Sequence, residues 1–94
     1  MLQQIYLEPT LDKEQIISCV QQLNNLLQKN TVIENGGMAY FKGFHDNKLH
    51  IQIQYAFKNN QDKNSIHQLK EQLNLDVYAI VRTSLSKSKT TNYL

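Results

Sequence analysis

The segment "LQQIYLEP" alternates, with Ile5 and Leu7 on one parity and Gln4, Tyr6 and Glu8 on the other. That is the period of a half-buried strand. A strand is expected over 2–8, stopped by Pro9, which cannot donate to a ladder. The period then changes. In "TLDKEQIISCVQQLNNLLQKN" the residues Ile16, Val20, Leu23 and Leu27 form one helical stripe, widened by Ile17 and Leu26, and predict a helix over 11–29. Thr10 or Asp12 can cap its start, and Asp12 with Gln15 has the form of a capping box. Glu14 near the start and Lys29 near the end suit the helix dipole.

Asn35-Gly36-Gly37 is strong turn chemistry. A strand over 38–44 follows, then Asp46-Asn47 as the two central residues of a hairpin turn, both tolerant of positive φ. The next strand, over 49–58, has Leu49, Ile51, Ile53, Tyr55 and Phe57 on its inner face and His50, Gln52, Gln54 and Ala56 on its outer face. A two-residue loop sets Phe44 opposite Leu49 on the core side, and strict alternation would then turn Phe41 outward. A bulge at Gly43 lets both phenylalanines point inward. After the polar loop "KNNQDKN", a helix starts near Asp62 or Asn64. Ile66, Leu69, Leu73, Val77 and Ile80 make the clearest stripe in the chain, and predict a helix over 63–83. "SLSKSKTTNYL" has no long period and reads as a short last strand over 91–94 or a loose tail.

The order strand, helix, strand, strand, helix, with an optional last strand, is the ferredoxin-like split βαβ order. The expected fold is α+β: one domain over 1–94, with two helices packed on one face of an antiparallel sheet. The other face would carry Gln52, Gln54 and Tyr6. Ninety-four residues can bury a core, but a marginal one.

Composition narrows the function. A net charge of +2 with a single arginine, Arg82, argues against nucleic acid as a partner, since phosphate contacts call for clustered cations. The lone Cys19 leaves no internal disulfide and fits a reducing compartment. No apolar run approaches the roughly 20 residues of a membrane helix, and "MLQQIYLEPT" lacks the basic-then-apolar pattern of a signal peptide, so the chain reads as soluble.

Candidate chemistry is thin. His45, Asp46 and His50 are of types that suit zinc, but Asp46 is better used in the turn, and a solvated hairpin is the preferred reading. His67 lies off the second helix's stripe and reads as a surface residue. Cys19 sits mid-helix beside the apolar stripe without an activating neighbour, so a partly buried side chain is preferred to a nucleophile. The eight carboxylates are scattered; Glu14, Glu71 and Asp76 read as solvent-facing helix residues. Gly36-Gly37 precedes a strand, not a helix, so no phosphate cradle is expected. RNA-recognition domains share the fold but expose aromatics on the open sheet face. Here Tyr55 and Phe57 are on the apolar parity, leaving Tyr6 and Tyr40. Lys87 and Lys89 give the end a small basic character. No cofactor and no enzymatic activity are expected. A stand-alone module binding RNA or a small ligand is the alternative to the reading that follows.

"FKGFHDNKLHIQI" resembles a strand of the cytoplasmic C-terminal domain of the MscS-type, small-conductance mechanosensitive channels, of the form v-x-F-x-x-F-G-D-S-S-L-x-I-x-V. Phe41, Phe44, Asp46, Leu49, Ile51 and Ile53 match it. "IYLEPTLDKEQI" is similar to the family's start of the first helix, "IHQLKEQLNLDVYAIV" to its second helix, and "TTNYL" to its closing strand. The family's Gly-Asp-Ser-Ser turn reads His45-Asp46-Asn47-Lys48 here, and its Phe-Pro before the last strand is replaced by "LSKSKT". The resemblance implies a structural, oligomer-forming domain of a cytoplasmic cage: a homo-oligomeric ring, heptameric in this family, below a pore on the cytoplasmic side of the bacterial inner membrane. It implies attachment to the membrane only through transmembrane helices that this sequence lacks, and no ion conduction by the domain alone. Phe41, Gly43, Phe44, Asp46, Asn47 and Leu49 would then be architectural, with Phe41, Phe44 and Leu49 filling the core.

Overall fold

Both helices start on a side-chain cap. In the computed structural model, which describes residues 2–58 and 62–91 (the side chains of 86–91 excepted), the Asp12 carboxylate accepts from the Gln15 N–H. The Gln15 side chain accepts in return from the Asp12 N–H, each at 2.8 Å. This capping box opens α1, Lys13–Lys29. The Asp62 carboxylate accepts from the Ser65 N–H at 2.7 Å and opens α2, Lys63–Thr91. The strands are β1 (Leu2–Leu7), β2 (Met38–His45) and β3 (Lys48–Gln54).

The sheet is antiparallel with order β1-β3-β2, so the chain has a mixed α+β fold in the β-α-β-β-α order. β3 is central. Its Leu49, Ile51 and Ile53 face the helices and join one buried cluster with Cys19, Leu23 and Leu27 of α1 and Leu73 and Val77 of α2. Leu23, Ile51, Ile53, Leu73 and Cys19 are fully buried. Each large aliphatic side chain removed from water in this way contributes about 1.5–3 kcal/mol before entropy is charged against it.

The hairpin is built on backbone angles that few residues accept. Asp46 and Asn47 have φ of 51° and 65°, the two positive values of a type I′ turn, whose twist matches that of the flanking strands. The register shifts between Phe41 and Gly43, and Gly43 has φ of 117°, a region that side chains with a Cβ rarely enter. The bulge restores Phe41 and Phe44 to the helix-facing side, opposite Ile51 and Leu49.

That side is not the core at their position. Phe44 is 72% exposed and Phe41 39%, whereas Leu49 is buried. β2 is an edge strand, and α1 is anchored over its beginning. The Asn24 side chain donates to the Ala39 carbonyl and accepts from the Ala39 N–H, each at 2.8 Å. Beyond Ala39 the helix layer does not reach over the edge, so of the three residues expected to fill the core only Leu49 does so.

Two boundaries differ by more than two residues. β3 leaves the ladder at Gln54 rather than residue 58. Tyr55 and Phe57 stay buried because the chain goes on to pair with residues 32–34: the Glu34 N–H donates to the Ala56 carbonyl at 2.8 Å and the Lys58 N–H to the Val32 carbonyl at 2.9 Å. α2 runs past the expected end at 83 to Thr91. The sequence from 63 onward contains no glycine or proline to stop it, and Ser84 and Leu85 prolong the stripe that packs on α1. Thr91 is therefore helical, and residues 92–94 of the expected last strand lie outside the described residues.

Candidate functional site

β2 and β3 present two different surfaces, one polar and one apolar. The polar one is the open face of the sheet. The register sets Tyr6 against His50, Gln4 against Gln52, and Tyr40 against Gln52 from the other side, so side chains of one parity from three strands meet. The His50 Nε2–H donates to the Gln4 side-chain oxygen. The Gln4 amide donates to Gln52 Oε1 at 3.1 Å, and Lys42 Nζ donates to the same oxygen at 3.1 Å. The Gln52 amide donates to the Tyr40 hydroxyl, as does the Gln54 amide at 3.3 Å. The Tyr6 ring stacks on His50 with centroids 4.8 Å apart. His50 and Gln52 are consequently buried on a face that no element among the described residues covers. The expectation of a simple wet face missed this network. Its signal was in the sequence: Gln and Tyr recur at one parity in the first, second and third strands.

The electrostatics of His50 follow from its place. Removal from water lowers its pKa below the ordinary histidine value, and the cationic Lys42 and the neighbouring His45 push the same way. A base whose folded pKa is lowered is neutral in the native state and takes up its proton more readily when unfolded. Its contribution to stability is present above the unfolded value of about 6.5 and lost as the pH falls below it. Urea midpoints are therefore expected to hold steady above about pH 7 and to fall on acidification through about pH 6. His50→Gln should flatten that slope; an unchanged slope would assign it to other groups.

The other candidate ligands do not converge. His45 and Asp46 are 3.4 Å apart and both exposed at the hairpin tip. The His45 and His50 rings are 6.0 Å apart, and His67 is exposed on α2. Among the described residues no group of three or more His, Cys, Asp or Glu is placed to hold a metal ion. Cys19 is fully buried under α2. Burial pushes its thiol pKa up, against a smaller opposite effect of a hydrogen bond with the Ser84 side chain. A thiol so placed is unreactive.

The apolar surface is an open groove of about 1060 Å³ between the outer side of α1 and β2, lined by Ile16, Ile17, Val20, Phe41 and Phe44, with amide side chains and Lys13 at its rim. Ile17 is 51% exposed, and the Phe41 and Phe44 rings meet edge to face at 6.1 Å. Of the hairpin residues singled out from the sequence, Gly43, Asp46, Asn47 and Leu49 shape the strand pair. Phe41 and Phe44 supply this groove.

No protein-family model, curated protein or solved structure matches the chain. Among the described residues no helix is long and apolar enough to cross a membrane.

Proposed function

We propose that the chain is an architectural, assembly-forming module: the cytoplasmic α/β domain of an MscS-type mechanosensitive channel. It would act on the cytoplasmic side of the bacterial inner membrane as part of a homo-oligomeric ring. In this reading ion conduction and membrane attachment belong to other parts of the channel, and this domain is structural.

The observation that carries the proposal is the uncovered apolar edge. Phe44, Ile17 and Phe41 stand together beside a strand that has no outer neighbour among the described residues. Large exposed apolar clusters and open strand edges mark interaction surfaces. The ordered resemblance adds to this in part: "FKGFHDNKLHIQI" falls on the β2–β3 hairpin and "IHQLKEQLNLDVYAIV" on α2, whereas the start of "TTNYL", similar to a closing strand, lies in the end of α2. The alternative, a module binding RNA or a small ligand on the open face, is less well supported. There Gln4, Gln52, Tyr40 and His50 already bond one another, and Tyr6 is the one ring of the network left substantially exposed.

The test is a chimera in which this chain replaces the corresponding domain of an MscS-type channel. Pressure-activated currents and a ring-sized particle in sedimentation are expected, with assembly reduced by Phe41→Ser and Phe44→Ser together. A chimera that reaches the membrane but neither assembles nor gates would falsify the reading.

A further inference from the structure

We infer that the α1–β2 groove receives an extended strand of a partner polypeptide, apolar at alternate positions and carrying a carboxylate at the end beside Lys13. The inference rests on the assembly reading for its surface and adds the occupant; strand docking could also hold for a chain of some other function.

The backbone of β2 supplies the first argument. In an antiparallel ladder the N–H and C=O of one residue point the same way, alternately toward and away from the partner strand. Ala39 directs both groups away from β3, because the Asn24 amide takes them up. By the same alternation, with the extra residue of the bulge allowed for, Phe41 and Phe44 direct theirs outward as well. No hydrogen bond within the described residues meets them there. The protein thus pairs its own edge at Ala39 with a side-chain amide and leaves the next two outward positions open. An incoming peptide group would continue that pairing, as in strand addition to a sheet edge.

The side chains supply the second. An added strand places alternate side chains on the helix side, where Phe41, Phe44, Ile17 and Val20 form the groove. The third is charge. Among the described residues Lys13 is the only charged one lining the groove. β1 and β2 both run antiparallel to β3, and α1 joins them, running back against β2. With Asn24 beside Ala39, Lys13 lies toward the hairpin end, near Phe44. An occupant with a carboxylate at that end is complementary, and one with a lysine there is not.

The probe is a blocked eight-residue peptide of alternating Val and Thr ending in Asp-Asp, with a twin ending in Lys-Lys. It is titrated into the 15N-labelled chain. Expected are amide shifts confined to β2 and the outer side of α1, slowed solvent exchange of the Phe41 N–H, and about fivefold tighter binding of the acidic peptide, the size of a partly exposed charge reversal. Lys13→Glu, an exposed substitution, should reverse the preference. Equal binding of the two peptides to both proteins would overturn the charge assignment. Shifts on the open face would overturn the site. An unprotected Phe41 N–H would overturn strand addition. Shifts at the groove that depend on protein concentration without peptide would replace the partner strand by a second copy. Failure of the peptide with a chimera that still gates removes this inference alone; failure of both removes the assembly reading.

Discussion

Replacing Leu23 with alanine is expected to lower the unfolding free energy by about 3 kcal/mol, and replacing Phe44 with alanine by less than about 1 kcal/mol. Leu23 is fully buried at the centre of α1, within the cluster that contains Ile51, Ile53 and Leu73. Its truncation loses the transfer free energy of the removed carbons and leaves a void that the close-packed surroundings fill only in part. Phe44 is the larger side chain, but it is 72% exposed and leaves no cavity. For a chain of this size, with a total of about 5–10 kcal/mol, the first substitution removes a large part of the stability. Urea denaturation of the two variants side by side checks the contrast. Equal losses would mean that the helix layer covers the far end of β2 after all.

The second large effect is expected at Asn24. Asparagine is a poor helix former, yet it stands in the middle of α1. Its amide bonds both backbone groups of Ala39, which is buried, and also donates to the Val20 carbonyl at 3.1 Å. Asn24→Asp keeps the shape and the acceptor but turns a carboxylate oxygen toward two carbonyls. The Ala39 carbonyl loses its donor, and a charge is drawn toward a buried residue of the edge strand. The expected cost near neutral pH is about 2–4 kcal/mol. It should shrink on acidification, because the protonated carboxyl can again donate to Ala39. Denaturation at neutral and acidic pH separates this from a packing defect, which would cost the same at both. The comparison is made against the wild-type chain at each pH, since His50 is expected to weaken that chain too on acidification.

Much of the fold could be read from periodicity and turn chemistry. The two helical stripes, the Asp12–Gln15 box, the Asp46-Asn47 turn and the bulge at Gly43 are local, and the local sequence decides them. What could not be read depends on distance. Alternation tells which side of the sheet Phe41 and Phe44 face, but not whether a helix extends over that part of the side; the Asn24–Ala39 contact, fifteen residues apart in sequence, decides it. Cys19 is wholly rather than partly buried because α2 continues to Ser84 and beyond and closes over it. The polar network needed the register of three strands before Gln4, His50, Gln52 and Tyr40 could be seen as neighbours. The groove was hidden for a related reason: its residues come from the outer side of a helix and the far end of an edge strand, and each looks like a core residue in its own segment.

The burial of Cys19 gives the molecule a built-in clock. Its sulfur lies between the two helices, so a thiol reagent in solution reaches it only after α1 and α2 have parted. The rate of labelling under native conditions therefore reports how often that seam opens. Its dependence on denaturant tells whether the helices separate alone or only when the sheet comes apart with them. Because the chain has no other cysteine, the signal needs no engineering and belongs to one place.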